Sequence, residues 1–329
     1  MDRRRPILIV LNSDRTPGNR VSLVLGEGGA RGYAHIGAIE ALHERGYEIV
    51  AVTGSSMGAL VGGIYAVGQL DAFAEWVMTL SQRDVLRLMD VSLARSGVMR
   101  AERVLARVRE LVGDQLIEDL RVPFTAVATD LLARREVWFQ RGPLDVAIRA
   151  SIAMPGIFTP VRLNGRLLVD GGLLQPVPVA PAAAIQADLT VAVSLGGERG
   201  GIGPAVQETA DPGHLDQWVS RFRRGASQAF SATGAGEGRA GESEDPPNDL
   251  PAGITPMDVM IYALEAMQGV VSRYCLAGYP PDILITVPKD ACRTLDYHRA
   301  PLMVELGRRL TADALGEFEA ARTPEPERE

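Results

Sequence analysis

Short apolar segments alternate along the chain with longer stretches of mixed polarity. Five of these segments have the length and composition of buried strands, namely residues 21–25, 49–52, 124–129, 189–194 and 283–287. Apolar residues recur at helical spacing from Ala34 to Leu42, and a second apolar helix is predicted after Ser56. Because buried parallel strands read as unbroken apolar runs, the pattern predicts a three-layer α/β fold with a central, mostly parallel sheet and helices on both faces.

The uncharged stretch from Ile49 to Leu70 is long enough to cross a bilayer, which takes about 20 residues. Glycines and serines interrupt it between Gly54 and Gly63, so a strand, a tight turn and a buried helix fit it better than one continuous span. The basic residues at 3–5 imitate the start of a signal peptide, but the apolar run that follows is shorter than the usual ~7–15 residues. We expect neither a transmembrane segment nor export.

Composition narrows the classes of function. The 329 residues carry a net charge of -7, and 46% of them are hydrophobic, which is enough for a substantial core. Nucleic-acid binding relies on clustered Lys and Arg, so no such partner is expected. Cys275 and Cys292 are too few for a disulfide framework and lack metal-ligand spacing, although a single bridge between them stays open. We expect a cytoplasmic protein without a metal or another cofactor.

The composition also divides the chain. We predict one domain from residues 21–196 and 255–315, preceded by a leader at 1–20 and followed by a tail at 316–329. Residues 197–254 are rich in Gly, Ser, Pro and acidic residues and predict a flexible insertion that buries little surface. An aromatic segment within it predicts a short helix, which belongs either to a solvated linker or to a mobile lid.

The first segment with chemical meaning is Gly54-Ser55-Ser56-Met57-Gly58, a Gly-x-Ser-x-Gly motif. Glycines flank the serine of this motif at a sharp strand-to-helix turn, because larger side chains would clash there. A predicted strand precedes it and a predicted helix follows it, as the turn requires. Ser56 is therefore a candidate nucleophile beside a helix N-terminus, where negative charge is favoured.

A second segment, from Gly26 to Gly32, also joins a predicted strand to a predicted helix. Arg31 stands where a dinucleotide fingerprint needs its third glycine, and no Gly-Lys-Ser/Thr sequence provides a phosphate loop. Gly28 and Gly29 instead allow backbone N–H groups to converge on a developing oxyanion. Arg31 either braces this loop or attracts an anionic head group.

The third segment, Asp170-Gly171-Gly172, follows an apolar run, so Asp170 is expected at the end of a strand. A serine nucleophile needs a base, and an aspartate within hydrogen-bond reach of Ser56 can serve. Most Asp-Gly-Gly sequences are only turns. His298 offers another arrangement, because Ser56, Asp170 and His298 reproduce the chain order of an α/β-hydrolase triad.

Together these segments resemble the patatin-like phospholipase family, including bacterial relatives of the neuropathy target esterase catalytic domain. Residues 150–158 and the stretch with Asp296-Tyr297-His298 also look like family segments, so the likeness covers about residues 21–196 and 255–315. The resemblance implies a patatin-like α/β/α fold and a Ser56/Asp170 dyad, with a structural His298. It further implies that the Gly28-Gly29-Ala30-Arg31 loop stabilises an oxyanion.

The resemblance implies a serine carboxylic ester hydrolase that acts on phospholipid, lysophospholipid or another fatty-acyl ester, with peripheral contact at the membrane as a further expectation. Glu27 stands where many relatives have glycine, and we expect its side chain to point to solvent. A triad-using α/β-hydrolase is one alternative. A non-catalytic lipid-binding regulatory protein is the other, and it is favoured if Glu27 disables the site.

Overall fold

The computed structural model describes residues 18–88, 102–197 and 256–322. Nearly all of the predicted leader and insertion, and the end of the predicted tail, lie outside these residues. Eight strands form one sheet: β1 (Arg20–Leu25), β2 (Glu48–Ser55), β3 (Phe124–Asp130), β4 (Arg135–Phe139), β5 (Val161–Leu163), β6 (Arg166–Asp170), β7 (Leu189–Gly197) and β8 (Ile283–Pro288).

The same residues form helices of two kinds. The α-helices are α1 (Ala34–Glu44), α2 (Met57–Ala66), α3 (Leu70–Met78), α4 (Gln82–Leu88), α5 (Glu102–Val112), α6 (Leu144–Ser151), α7 (Val179–Ala182), α8 (Pro256–Gly278) and α9 (Ala300–Arg322). Single turns of 3-10 helix lie at Gly29–Tyr33, Ile117–Asp119, Gly171–Leu173 and Tyr297–Arg299.

The sheet is parallel through its centre and antiparallel at one side. Its strand order is β5-β6-β3-β2-β1-β7-β8, with β4 also paired to β3. The five strands predicted from apolar runs are β1, β2, β3, β7 and β8, and each pairs in parallel with its neighbours in this group. Strands β4, β5 and β6 pair antiparallel. The predicted α/β class with a mostly parallel sheet is confirmed.

Side chains of the central strands alternate between two apolar layers. Leu23 and Leu25 of β1 belong to the large core that includes residues of α1, α2 and α9. Val24 points the other way, into a smaller cluster with Val179 of α7 and Leu276 of α8. Because successive strand residues face opposite sides, helices cover both faces of the sheet.

The uncharged stretch from Ile49 to Leu70 is not one helix. It contains most of β2, the turn at Ser56, all of α2 and the first residue of α3. Within the described ranges no helix combines the length and the apolar character needed to cross a membrane. Both cysteines are free, so the bridge that the sequence left open is absent.

The last helix extends beyond the predicted end of the domain at residue 315. Helix α9 continues to Arg322, and Phe318 is buried in the large core. Burial of Thr311, Leu315 and Phe318 keeps one face of the helix against the domain at helical spacing. The residues 316–322, which the composition assigned to the tail, are therefore part of a packed helix.

Candidate active site

The sheet brings the ends of β2 and β6 together along β3. Ser55, the last residue of β2, pairs with Val127, and Asp170, the last residue of β6, pairs with Ala128. Strand β4 pairs with both Val127 and Ala128, so β2 and β6 must share the opposite edge of β3. They run toward each other there, and their carboxyl ends meet.

Ser56 occupies the sharp turn between β2 and α2. Its φ of 54° lies in the left-handed region, which is uncommon for residues other than glycine and marks local strain. Its backbone N–H donates to Ser151 Oγ at 2.9 Å, and that hydroxyl donates in turn to the Val127 carbonyl oxygen at 2.5 Å. A Cβ on Gly54 or Gly58 would overlap backbone atoms, so the turn needs both glycines.

The side chains of Ser56 and Asp170 form a direct hydrogen bond. Ser56 Oγ donates to Asp170 Oδ2 at 2.6 Å, and the Gly172 N–H donates to Asp170 Oδ1 at 2.7 Å. Burial raises the pKa of Asp170 to about 6, although both hydrogen bonds oppose this change. Gly171 is tightly enclosed, because a Cβ there would overlap the Val127 carbonyl. The carboxylate is fixed and is basic enough to accept a proton near neutral pH.

The histidines in the described ranges lie outside this pair. His298 is part of the 3-10 turn Tyr297–Arg299, and among the described residues it has no hydrogen bond to Ser56 or Asp170. His35 is fully buried, and its Nε2 lies 2.8 Å from the Gly26 carbonyl oxygen. A carbonyl can only accept, so Nε2 carries the proton. Burial lowers the pKa of His35 to about 4, so the ring is neutral and braces the glycine loop.

The glycine loop presents two free amides. The N–H groups of Gly26 and Glu27 donate to backbone carbonyls, as do those of Ala30 and Arg31. Within the described ranges the Gly28 and Gly29 amides donate to no other group. Gly29 has a φ of +56°, and a Cβ there would overlap the Thr294 carbonyl. The loop thus offers donors at Gly28 and Gly29, whereas the amides of Ala30 and Arg31 are already engaged. Gly32 packs against Met57.

Arg31 braces the loop. Its buried guanidinium donates from Nε to the Gly28 carbonyl at 3.3 Å and from Nη1 to the Lys289 carbonyl at 3.0 Å. Its Nη2 pairs with Glu265 Oε1 at 3.1 Å, and Thr294 Oγ1 donates to the same oxygen at 2.7 Å. Of the two roles that the sequence left open, the contacts are those of a brace.

The expectation that Glu27 points to solvent is wrong. The Glu27 side chain is half-buried and lines a polar cleft together with Arg31, Glu265 and Lys289. The Glu27 side chain packs over Gly172. A Cβ on Gly172 would lie 2.6 Å from Glu27 Cγ, so the glycine leaves the space that the Glu27 side chain occupies. Burial, followed by repulsion from Asp170, raises the pKa of Glu27 to about 8.

Ser56 opens instead onto an apolar cleft of about 740 Å³. Its walls come from α2, α3, α4, α5, the residues after α6 and the turn at Tyr297. The lining includes Gly29, Leu60, Phe73, Trp76, Ile152 and Phe158. Small-molecule sites are likewise mostly apolar with a few convergent polar groups.

Two parts of this site carried no recognisable signal of their own in the sequence. Ser151 lies in a family-like segment of the sequence, but nothing in that segment indicates that its hydroxyl anchors the Ser56 backbone. Phe73 and Trp76 of α3 line the cleft, and their apolar spacing is typical of any amphipathic helix.

Among the described residues, no group of three or more His, Cys, Asp or Glu side chains is placed to hold a metal ion.

A family model described as Patatin-like phospholipase matches residues 23–183. Uncharacterized NTE family proteins of Mycobacterium tuberculosis and Mycobacterium bovis are each 47% identical to this chain over 336 residues, covering 91% of this chain and 92% of each relative. The chain belongs to the patatin-like phospholipase family. This membership supports lipid hydrolase activity in general terms.

Other patatin-like relatives share less of their length with this chain. A patatin-like phospholipase domain-containing protein of Caenorhabditis elegans is 33% identical over 186 residues, covering 54% of this chain and 14% of that protein. The solved structure of VipD from Legionella pneumophila aligns at 15% identity with a TM-score of 0.43, covering 92% of this chain and 66% of that one. This distant likeness adds nothing to the family assignment.

Proposed function

We propose that this patatin-like protein hydrolyses fatty-acyl esters, with Ser56 as nucleophile and Asp170 as general base. The observation that carries the proposal is the 2.6 Å hydrogen bond between Ser56 Oγ and Asp170 Oδ2, placed where an apolar cleft of about 740 Å³ ends. A cleft with this lining favours an acyl chain. The substrates proposed are phospholipids, lysophospholipids or other fatty-acyl esters.

In the first half of the reaction, Ser56 Oγ attacks the ester carbonyl carbon while Asp170 Oδ2 takes the hydroxyl proton. The carbonyl oxygen becomes an oxyanion, which the free amides of Gly28 and Gly29 stabilise. The carbon–oxygen bond to the alcohol then breaks, and Asp170 returns its proton to the leaving alkoxide. The products of this half are the free alcohol and an acyl ester on Ser56.

In the second half, Asp170 removes a proton from a water molecule, whose oxygen attacks the acyl carbon. The same two amides of Gly28 and Gly29 stabilise the new oxyanion. The bond to Ser56 Oγ breaks, and Asp170 gives the proton back to that oxygen. The fatty acid leaves, and the hydrogen bond between Ser56 and Asp170 is restored.

The two alternatives have less support. A triad requires His298 to contact Asp170, but within the described ranges Asp170 accepts its side-chain hydrogen bonds from Ser56 and Gly172 and none from His298. A non-catalytic role would require Glu27 to disable the site. Glu27 lines the polar cleft, however, and is not among the residues of the apolar cleft at Ser56.

Activity on a short p-nitrophenyl ester and on a lysophospholipid panel tests the proposal. The variants are Ser56→Ala, Asp170→Asn and His298→Ala, each checked for folding by circular dichroism. We expect kcat to fall about 10³-fold or more in the first two variants and to stay near the wild-type value in the third. A large loss of kcat in His298→Ala would indicate a Ser56/Asp170/His298 triad instead of the dyad. A folded wild type without turnover on any ester would favour the non-catalytic role.

A further inference from the structure

A second cleft lies behind the glycine loop, at the carboxyl ends of the parallel strands. Its boundary is formed by Glu27 after β1, by Ser194 and Gly196 in β7, by Lys289 after β8 and by one face of α8. Ligands of open α/β sheets bind at the carboxyl ends of the strands. The position and the polar lining of this cleft therefore suit a small polar molecule.

Helix α8 turns its polar side toward this cleft. Glu265, Gln268 and Ser272 follow each other at spacings of three and four residues, and all three line the cleft. The opposite face carries exposed apolar side chains, among them Met267 and Tyr274. Where α8 does cover the core, it does so through Leu276, which packs with Val24 and Val179. The polar stripe therefore requires an explanation in the cleft itself.

Three polar side chains of the cleft have no partner within the described part of the chain. Arg31 and Glu265 satisfy each other as an ion pair. Glu27 and Lys289 then remain, a carboxyl and an ammonium group with no hydrogen bond or ion pair to any described residue. Gln268 is 4% exposed, lines the cleft and also has no hydrogen-bond partner there. An amide without a protein partner is available to water or to a ligand in the cleft, which suits a binding site.

The charges select the kind of ligand. A simple cation beside Glu27 would be repelled by Lys289, and a simple anion beside Lys289 would leave the Glu27 carboxyl protonated and without a charged partner. A molecule with one charge of each sign satisfies both groups. Hydrogen-bond donors from Lys289, Gln268, Ser194 and Ser272 are enough for the several oxygens of a phosphate.

We propose that this cleft binds a small zwitterion, a phosphorylated amino alcohol whose ammonium group lies at Glu27 and whose phosphate lies at Lys289 and Gln268. Such a group occurs free and as the head group of zwitterionic phospholipids. The free source does not depend on the proposed ester hydrolysis, whereas the lipid source rests on it. Binding is therefore measured apart from turnover.

Calorimetric titration of the full Ser56→Ala chain with O-phosphoethanolamine tests the site. We expect one equivalent to bind, with Lys289→Ala and Glu27→Gln each weakening the affinity about tenfold or more. Gln268→Leu should also weaken it. Arg273→Ala is the matched control, because it removes an exposed cation of α8 outside the cleft, and its affinity should be unchanged.

Phosphate alone and ethanolamine alone should bind at least tenfold more weakly than the combined molecule. Equal affinity for phosphate alone would overturn the zwitterion in favour of a simple anion site. No binding of O-phosphoethanolamine up to about 10 mM, or equal binding by Glu27→Gln, would overturn the proposal as well.

Proton release gives a second readout. Asp170 and Glu265 raise the pKa of Glu27, and Arg31 and Lys289 lower it, but burial dominates and leaves that pKa at about 8. An ammonium group beside Glu27 would lower the pKa and expel a proton near pH 7. Titrations in buffers of different ionisation enthalpy should show this release in the Ser56→Ala protein and not in the same protein with Glu27→Gln. Proton uptake would contradict the assignment.

A short-chain lysophosphatidylethanolamine distinguishes the two sources. If this lipid competes with O-phosphoethanolamine on the Ser56→Ala protein, the cleft takes a lipid head group. If O-phosphoethanolamine binds and the lipid does not compete, the cleft takes the free zwitterion. Both results support the site. Binding by a wild type that hydrolyses no ester would leave the site standing while the proposed function fails.

Discussion

In the proposed reaction the carboxyl group of Asp170 has to be ionised before it can accept the Ser56 proton. Its burial raises the pKa, while hydrogen bonds from Ser56 and Gly172 lower it, and the balance is a pKa of about 6. This value matches a general base that works near neutral pH, since such a base is most effective when its pKa lies near the operating pH.

The pH dependence of kcat/KM should therefore show an acid limb centred near pH 6. Below that pH Asp170 is protonated in the free enzyme and cannot take the Ser56 proton, so the rate should fall about tenfold for each further pH unit. Hydrolysis of a soluble ester between pH 4 and pH 9 measures the limb. A flat profile through pH 5, in protein shown to be folded, would exclude Asp170 as the base.

Two neighbouring serines should respond in opposite ways to the loss of a hydroxyl. Ser151→Ala removes the acceptor of the Ser56 N–H and the donor to the Val127 carbonyl, leaving two buried backbone groups unpaired. We expect it to lower the free energy of unfolding by about 1–3 kcal/mol. Ser55 Oγ is buried without a partner, so Ser55→Ala should be neutral or slightly stabilising.

Urea unfolding of the two variants measures the difference in free energy. The Ser151→Ala variant should also have a reduced kcat, since the Ser56 turn loses its anchor, with a smaller change in KM. A Ser55→Ala variant less stable than Ser151→Ala would contradict the hydrogen-bond assignment.

At the scale of the elements, helices α1 and α9 approach closely because two glycines face the partner backbone. A Cβ on Gly37 would overlap the Val304 carbonyl, and a Cβ on Gly307 would overlap the Ala34 carbonyl. Such backbone contacts cannot move aside as the end of a side chain can. Close backbone packing therefore stabilises the contact between α1 and α9, in addition to the burial of apolar side chains.

Alanine at two positions of α9 should therefore have opposite effects. Gly307→Ala should lower the free energy of unfolding by about 1–3 kcal/mol or more, because the helices must separate. A Cβ on Gly316 would meet nothing closer than the Arg45 side chain at 3.7 Å, so Gly316→Ala should add about 0.5–1 kcal/mol of stability. Thermal unfolding compares them, and equal destabilisation would refute the close contact.

The elements differ in how far the sequence predicts them. Strands β1, β3 and β7 are nearly continuous apolar runs, and this composition predicts buried parallel strands directly. Strands β4 and β5 are short and partly exposed, so their residues lack such a run. The tail boundary was misplaced because the spacing of Leu315 and Phe318 is a helical signal that composition alone does not show.

At the scale of the whole molecule, the candidate site depends on long-range pairing. The motif at Ser56 predicts a turn, and the run before Asp170 predicts the end of a strand, but neither pattern predicts that β2 and β6 meet along β3. That meeting follows from the register of the sheet. The orientation of Glu27 could not be predicted either, since it depends on space left by Gly172, far away in the sequence.

The half-buried Glu27 should make the stability of the whole domain depend on pH. Its pKa is about 8 in the folded state, compared with an ordinary value of 4.5, so the folded state holds its proton more tightly. Stability is then full below pH 4.5 and is lost as the pH rises to 8, since the unfolded state ionises first. The wild type should lose at least about 1 kcal/mol of its free energy of unfolding in this way at pH 9, and the Glu27→Gln variant should not.

Thermal unfolding of wild type and Glu27→Gln from pH 5 to pH 9 measures the effect. The difference in melting temperature should grow with pH in favour of Glu27→Gln. Parallel curves at all pH values would mean that the Glu27 carboxyl is solvated, which would also remove support for the polar cleft.

The most direct test of the central claim is covalent labelling by a long-chain fluorophosphonate, with the modified residue identified by mass spectrometry. The Ser56 oxygen should displace fluoride and bond to phosphorus in the wild type and in His298→Ala. Asp170→Asn should react far more slowly, and Ser56→Ala should not be labelled. Labelling at another serine, or ester hydrolysis that survives in Ser56→Ala, would contradict the account.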